Sequence, residues 1–183
     1  MKNKSLLKVI SGKYRGKGLI SPPDFTVRPT SARVKDSLFN IIRMELYGSS
    51  FLDLFCGTGQ NGIEAVSNGA TSTFVDKNTN IVTKNINSVG CLDSSRIISG
   101  DFKNILLSFA KNNEKFDFIF ADPPYNDGLY DEIIKLSEPL LNKDGKLILE
   151  HASDFTFENL YNLQVLDKRV YSSRTLTFLG GKE

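Results

Sequence analysis

The sequence predicts an α/β fold, a doubly wound Rossmann-like sheet preceded by a small N-terminal β-hairpin and helix. Three observations carry that expectation. From residue 51 onward, short apolar strands alternate with amphipathic helices, the pattern of a mostly parallel sheet covered on both faces. A glycine-rich loop follows the first of those strands. Near its end the chain has two strand-like segments joined by Tyr171-Ser172-Ser173-Arg174, which read as a hairpin closing one edge of the sheet.

The chain of 183 residues suits one well-filled core. With 40% hydrophobic and 24% charged residues, it is neither disordered nor fibrous. Apolar runs such as residues 118–121 fall far below the ~18 residues a membrane span needs. The start, Met1 to Lys8, has no apolar stretch of secretory length. Two cysteines, Cys56 and Cys91, make neither a disulfide framework nor a zinc site, so no metal is expected. The expectation is a cytoplasmic monomer with no membrane contact.

Net charge is only +2, but it is unevenly spread. Up to Glu45, ten basic residues face three acidic ones, which leaves −5 for the remainder. A basic arm on an acidic body suggests contact with a polyanion, although a solvated lysine-rich hairpin would carry the same charge. Lys13, Tyr14, Arg15, Lys17 and Arg28 are the residues expected to meet nucleic acid. Arginine grips phosphate, and an aromatic ring can stack on an unpaired base. Residues 1–30 are read as this arm and 31–183 as the catalytic domain.

In order along the chain, 6–10 and 18–20 read as short strands around the turn from Ser11 to Gly16. Thr30 or Ser31 would cap a helix in which Val34, Leu38, Ile41 and Ile42 recur at helical spacing. Strands follow at 51–55, 73–76, 96–99, 116–121 and 146–150, with helices at 60–68, 78–88, 102–111 and 128–141 between them. Segments 163–170 and 175–179 form the final hairpin.

The loop Gly57-Thr58-Gly59-Gln60-Asn61-Gly62 is a literal G-x-G-x-x-G between strand and helix. Alone it is weak evidence. Asp76, at the end of the next strand, adds a carboxylate where ribose hydroxyls would lie. Asp53 sits inside an apolar strand, where a carboxylate is costly unless bonded. It could brace the loop, and it would also favour a cationic ligand. S-adenosylmethionine, with its ammonium and sulfonium, suits that site better than a pyrophosphate. A nicotinamide enzyme would also want a substrate domain for which no length remains. Asp101 could read an adenine amino group with Phe102 alongside, or simply cap a helix. Gly57, Gly59, Asp53, Asp76, Asp101 and Phe102 are therefore the expected cofactor residues.

Asp122-Pro123-Pro124-Tyr125 ends a buried strand in a stiff bend. It aims a carboxylate, a backbone carbonyl and an aromatic face at the crevice. That set suits methylation of an exocyclic amine on a nucleobase, a poor nucleophile because its lone pair is delocalised into the ring. Asp122 and the Pro123 carbonyl would hold the two amine hydrogens, and Tyr125 would stack on the extruded base. Glu64 either supports the loop or faces solvent. His151 is read as structural and Cys56 as an apolar filler.

These residues resemble class I S-adenosylmethionine-dependent amino-methyltransferases. More narrowly, the chain is similar to the bacterial 16S ribosomal RNA guanine-N2 methyltransferases. Four further segments carry the match: Ile10 to Gly16, Arg28 to Asn40, Gly62-Ile63-Glu64-Ala65 and Ile148-Leu149-Glu150-His151. The resemblance implies a seven-stranded sheet with a reversed last strand, an N-terminal hairpin that engages RNA, and action on the small ribosomal subunit or its assembly intermediate. Adenine-N6 enzymes share both methyltransferase motifs, so guanine rests on the resemblance. In one departure, the family's Tyr-Gly before the last strand is here Tyr171-Ser172.

Overall fold

Runs of β-branched and aromatic residues become the seven strands of one sheet in the computed structural model, which describes residues 7–21, 32–124 and 128–182. The strands are β1 (Ser50–Leu54), β2 (Thr71–Asp76), β3 (Ser95–Ser99), β4 (Phe116–Ala121), β5 (Leu141–Ala152), β6 (Leu163–Tyr171) and β7 (Arg174–Gly181). The helices are α1 (Ala32–Ile42), α2 (Gln60–Ser67), α3 (Asn80–Val89), α4 (Phe102–Lys111) and α5 (Leu129–Ser137). Spatial order is β3-β2-β1-β4-β5-β7-β6. The first five strands run parallel, and β7 is antiparallel to both neighbours. The fold class, the strand count and the reversed strand expected from the sequence are all present.

Alternation along the central strands builds the layers. Leu52, Leu54, Ile119 and Ala121 pack with Leu106 and Phe109 of α4 and with Ile133 and Ile134 of α5. Phe51, Phe118 and Phe120 point the other way, onto Val34, Leu38, Phe39 and Ile42 of α1. Phe74 packs with Ile63 of α2 and Val82 and Ile86 of α3. Both faces of the central strands are dry, as parallel strands require. Among the described residues no helix is long and apolar enough to cross a membrane.

Three boundaries differ from the sequence expectation, each for a local reason. The helix expected to reach 141 stops at Ser137, and 138–140 tighten into a 3-10 turn. Pro139 lacks the N–H that an α-helix would use there. β5 begins at Leu141 rather than 146, with an irregularity in its pairing to Phe116 and Phe118 of β4. The two N-terminal strands reduce to a single antiparallel bridge, Lys8 with Gly18. The two segments still exchange bonds, Val9 N–H to the Lys17 carbonyl at 3.0 Å and Leu19 N–H to the Leu7 carbonyl at 2.8 Å, and the turn between them also bonds to α2. Lys13 N–H donates to the Ser67 carbonyl at 2.7 Å and Tyr14 N–H to Ser67 Oγ at 2.9 Å. The caps expected at Thr30 or Ser31 lie outside the described residues.

The family's Tyr-Gly departure has a simple outcome. Ser172 adopts the left-handed backbone, φ 53°, that glycine takes most easily, and Tyr171 still pairs with Arg174 across the turn. Ser153 ties the turn down, donating from Oγ to the Ser172 carbonyl at 2.9 Å and from N–H to the Ser173 carbonyl at 3.2 Å.

Glu64 resolves as a buried clamp rather than a solvent-facing residue. Its carboxylate accepts from Ile10 N–H at 2.9 Å, Ser11 N–H at 2.7 Å and Ser11 Oγ at 2.7 Å. Lys35 Nζ of α1 lies 3.4 Å away and also donates to the Lys8 carbonyl at 2.9 Å. Glu64→Ala would leave the buried Lys35 without its counter-charge and the half-buried Ile10 and Ser11 amides without their acceptor. We expect a loss of about 3–5 kcal/mol, the usual cost of halving a buried pair, measurable by urea unfolding at pH 7.

Candidate active site

Ligands of open α/β sheets sit outside the carboxyl ends of the strands, where the chain reverses its direction of winding. That point lies here between β1 and β4, since β2 and β3 extend to one side of β1 and β4 and β5 to the other. Leu54 pairs with Ala121, so the glycine loop after β1 and the bend that begins at Asp122 leave the sheet side by side.

The glycine loop is built by backbone that side chains tolerate poorly. Phe55 (φ 58°), Gly57 (φ 53°) and Gly59 (φ 76°) all lie in the left-handed region, which turns the chain sharply into α2. Gly59 and Gly62 are also dictated by packing. A Cβ on Gly59 would come within 2.4 Å of Val82 Cγ2, and one on Gly62 within 2.2 Å of the Phe74 ring. The third glycine of the motif thus lets α2 settle against β2.

Two carboxylates hold this loop from below. Asp53, 1% exposed, accepts from Gly62 N–H at 2.9 Å, in the first turn of α2. Burial pushes its carboxyl up to about 7, against the pull of the Gly62 hydrogen bond, with the charges of Asp76 and Asp122 adding to the rise. Asp76 accepts from Gly57 N–H at 2.9 Å and from Asn78 N–H at 3.0 Å. Loop amides that would cradle a pyrophosphate are therefore already donated to carboxylates. The crevice presents negative charge, the complement of a sulfonium and an ammonium.

Asp101 caps α4, accepting from Lys103 N–H at 3.1 Å, with Lys77 Nζ 3.8 Å from its other oxygen. Phe102 is buried, its ring 5.0 Å from that of Phe55, and belongs to the core beneath the loop. Cys56 is buried and its thiol is pushed far up by desolvation, which fits a filler.

Across the switch point, burial pushes the Asp122 carboxyl up to about 6, while Arg174 pulls it down. Pro123 is buried and Pro124 exposed. Tyr125 lies outside the described residues, as does Arg28. Sequence reasoning missed Arg174. Its guanidinium lies 3.8 Å from Asp122 and 3.6 Å from the buried Glu150. The signal was an arginine at the first position of an antiparallel strand, visible only once that strand was placed beside β5. His151 is buried inside a ring of Tyr130, Phe155 and Phe157. Its Nδ1 lies 2.7 Å from the Ala152 carbonyl, which can only accept, so Nδ1 carries the proton. Nε2 then accepts from Thr177 Oγ1 at 2.8 Å, and burial lowers the imidazole's basicity, as a structural residue requires.

The basic arm is fixed to the body some way along α2 and α3. Lys13, Arg15 and Lys17 are exposed and Tyr14 is half-buried. Lys17 Nζ donates to the Val89 carbonyl at 2.5 Å and Tyr14 OH to the Gly90 carbonyl at 3.3 Å, both at the C-terminal end of α3. The ammonium of Lys13 sits 5.2 Å from the Tyr14 ring. Lys13 and Arg15 remain turned to solvent, whereas Lys17 and Tyr14 are partly engaged by α3.

A family described as conserved hypothetical protein 95 matches residues 7–180. YlbH of Bacillus subtilis (strain 168), provisionally named an rRNA methyltransferase, is 31% identical over 90% of this chain and 94% of its own. Ribosomal RNA small subunit methyltransferase D of Escherichia coli (strain K12) is 30% identical over 72% of this chain and 67% of its own. Among solved structures, a hypothetical protein of Thermus thermophilus superposes with a TM-score of 0.83 at 27% identity, covering 96% of this chain and 99% of that one.

The Asp53 carboxyl has a sign that can be tested. Its folded value near 7 lies above its ordinary 3.8, so folding takes up a proton and stability falls as pH rises between those values. Asp53→Asn keeps an acceptor for Gly62 N–H without the buried charge. We expect it to stabilise the fold by about 1–3 kcal/mol at pH 8 and by much less at pH 4 in urea unfolding. It should at the same time weaken binding of a cationic cofactor.

Proposed function

The chain belongs to the conserved hypothetical protein 95 family, and from that premise we propose that it transfers a methyl group from S-adenosylmethionine to the exocyclic N2 amine of a guanine in 16S ribosomal RNA. The observation that carries the reading is the pairing of an acidic glycine loop after β1 with a carboxylate at the mouth of β4. The relatives' names, ribosomal RNA small subunit methyltransferase D among them, supply the substrate class.

The donor set fits the cofactor. Gly57 and Gly59 give room for close approach, Asp53 and Asp76 supply negative charge, and Asp101 stands at the neighbouring strand end to meet a polar group of the adenine. S-adenosylmethionine, when bound, supplies an electrophilic methyl group on a cationic sulfur. The protein's own part is to present the amine. Asp122 and the Pro123 carbonyl accept its two hydrogens, which favours a pyramidal nitrogen with its lone pair aimed at the methyl carbon. Tyr125 supplies a stacking face for the extruded base. Residues 1–30 serve as the RNA-contacting arm through Lys13, Tyr14, Arg15, Lys17 and Arg28, and 31–183 as the catalytic domain. The partner is the small subunit or its assembly intermediate, met by a cytoplasmic monomer.

The direct test incubates the protein with methyl-labelled S-adenosylmethionine and small subunits from cells lacking the enzyme, then identifies the labelled nucleoside by mass spectrometry. N2-methylguanosine is the expected product. N6-methyladenosine would overturn the choice of base while keeping the amine chemistry. Asp122→Ala should abolish turnover and leave calorimetric cofactor affinity within a few-fold. Charge reversal at Lys13 and Arg15 should weaken subunit binding and flatten its dependence on salt, because released counterions set that slope.

A further inference from the structure

The register of the sheet brings three charged side chains into a row across neighbouring strands. Ala121 at the end of β4 pairs with Leu149 of β5, which sets Asp122 beside Glu150. On the far side of β5, Glu150 pairs with Leu176 and Ala152 with Arg174 of β7, so Arg174 lies diagonal to Glu150. Both carboxylates, one of them 1% exposed, converge on that one arginine. The guanidinium answers both, with Nε 3.6 Å from Glu150 Oε1 and a terminal nitrogen 3.8 Å from Asp122 Oδ1. Its side chain is only 17% exposed, so this pairing is poorly screened by water.

We propose that Arg174 is a positioning residue for the amine acceptor: anchored on Glu150, it holds the Asp122 carboxylate ionised and aimed into the crevice. The inference rests on the methyltransferase reading for its consequence, though not for its geometry. An ionised Asp122 accepts an amine hydrogen on either oxygen, whereas a protonated one would offer a donor to a donor. Burial works against the ionised form, and Arg174 is the charge that opposes burial. Among the described residues, Glu150 of β5 shares the Arg174 guanidinium with Asp122, and the charge coupling between Asp53 of β1 and Asp122 favours protonation. His151 on β5 is held neutral by its buried partners.

Asp122 is read directly by the pH titration of its carboxyl carbon in NMR, assigned with Asp122→Asn. This measurement needs no turnover. In Arg174→Met its midpoint should rise by about one unit, a tenfold change in proton affinity, while Arg174→Lys should restore much of the wild-type midpoint. A wild-type midpoint in Arg174→Met overturns the inference. If Arg174→Met does not fold, Arg174→Gln serves: it keeps a hydrogen-bond donor without the charge, so the midpoint should again rise, and an unmoved one overturns the inference. In methylation assays on small subunits, the acid limb of kcat should follow the titration, with Arg174→Met losing about fivefold more at pH 6 than at pH 8.5. A uniform loss at every pH would mark Arg174 as structural only. A wild-type protein that transfers no methyl, yet shows the titration shift, would sink the methyltransferase reading and leave the Arg174–Asp122 coupling standing.

Discussion

A single buried contact organises the upper edge of this sheet, the Asp53 carboxylate beneath the first turn of α2. A carboxylate inside an apolar strand is expensive, and the structure compensates it with the Gly62 amide at 2.9 Å and with the positive end of a helix. The compensation is incomplete, as the rise of the carboxyl to about 7 shows. What the contact secures is the start of α2, and with it the path of the loop from Phe55 to Gly59. Asp76 repeats the device one strand over by taking Gly57 N–H. A dinucleotide site leaves such amides free for phosphate. Spending them on carboxylates makes the same glycine motif an electronegative cradle.

The helix that Asp53 steadies is also the anchor of the N-terminal arm. All eight residues of α2 are buried, polar ones included, because both its ends carry obligations. Its first turn is held by Asp53, and its later residues Glu64 and Ser67 gather the turn from Ile10 to Tyr14. The basic arm is therefore not a tether beside a catalytic body. A short rigid helix ties it to the loop that would hold the cofactor, at a fixed spacing. For the proposed docking of an RNA particle and placement of one base, that fixed spacing matters more than the arm's own secondary structure, which amounts to a single bridge.

Much of this was legible in the sequence because the relevant signals are local. The 102–111 helix and the 116–121 strand fall where the periodicity places them, and the glycine loop lies where the motif puts it. Asp53 was suspect as a charge in an apolar strand, and the brace it forms is the bonded partner such a charge needs. What escaped depends on contacts distant in sequence. Glu64 looked ambiguous because the donors it satisfies lie more than fifty residues away. Phe102, expected alongside an adenine next to Asp101, is buried against Phe55, a contact that its local sequence does not announce. The arm's two segments do exchange backbone bonds, but the turn between them also reaches Ser67, more than fifty residues away, which residues 6–20 alone do not reveal.

The reversed strand explains why Arg174 was the least legible residue and one of the most consequential. In a wholly parallel sheet, every strand delivers its carboxyl end to the ligand edge, so site residues follow strands. β7 runs the other way and delivers its first residue there instead. The tight turn at Ser172 and Ser173 leaves no loop to wander, and Arg174 enters the edge at a position fixed by β5. A sheet of this topology can thus place a cation beside the Asp122 bend without lengthening any loop around the crevice. The left-handed Ser172 fits the same logic. Its strained backbone is tolerated because Ser153 ties the turn down, and the turn in turn sets where the guanidinium begins. The charge at the crevice is then decided by strand direction as much as by the motif that announces it.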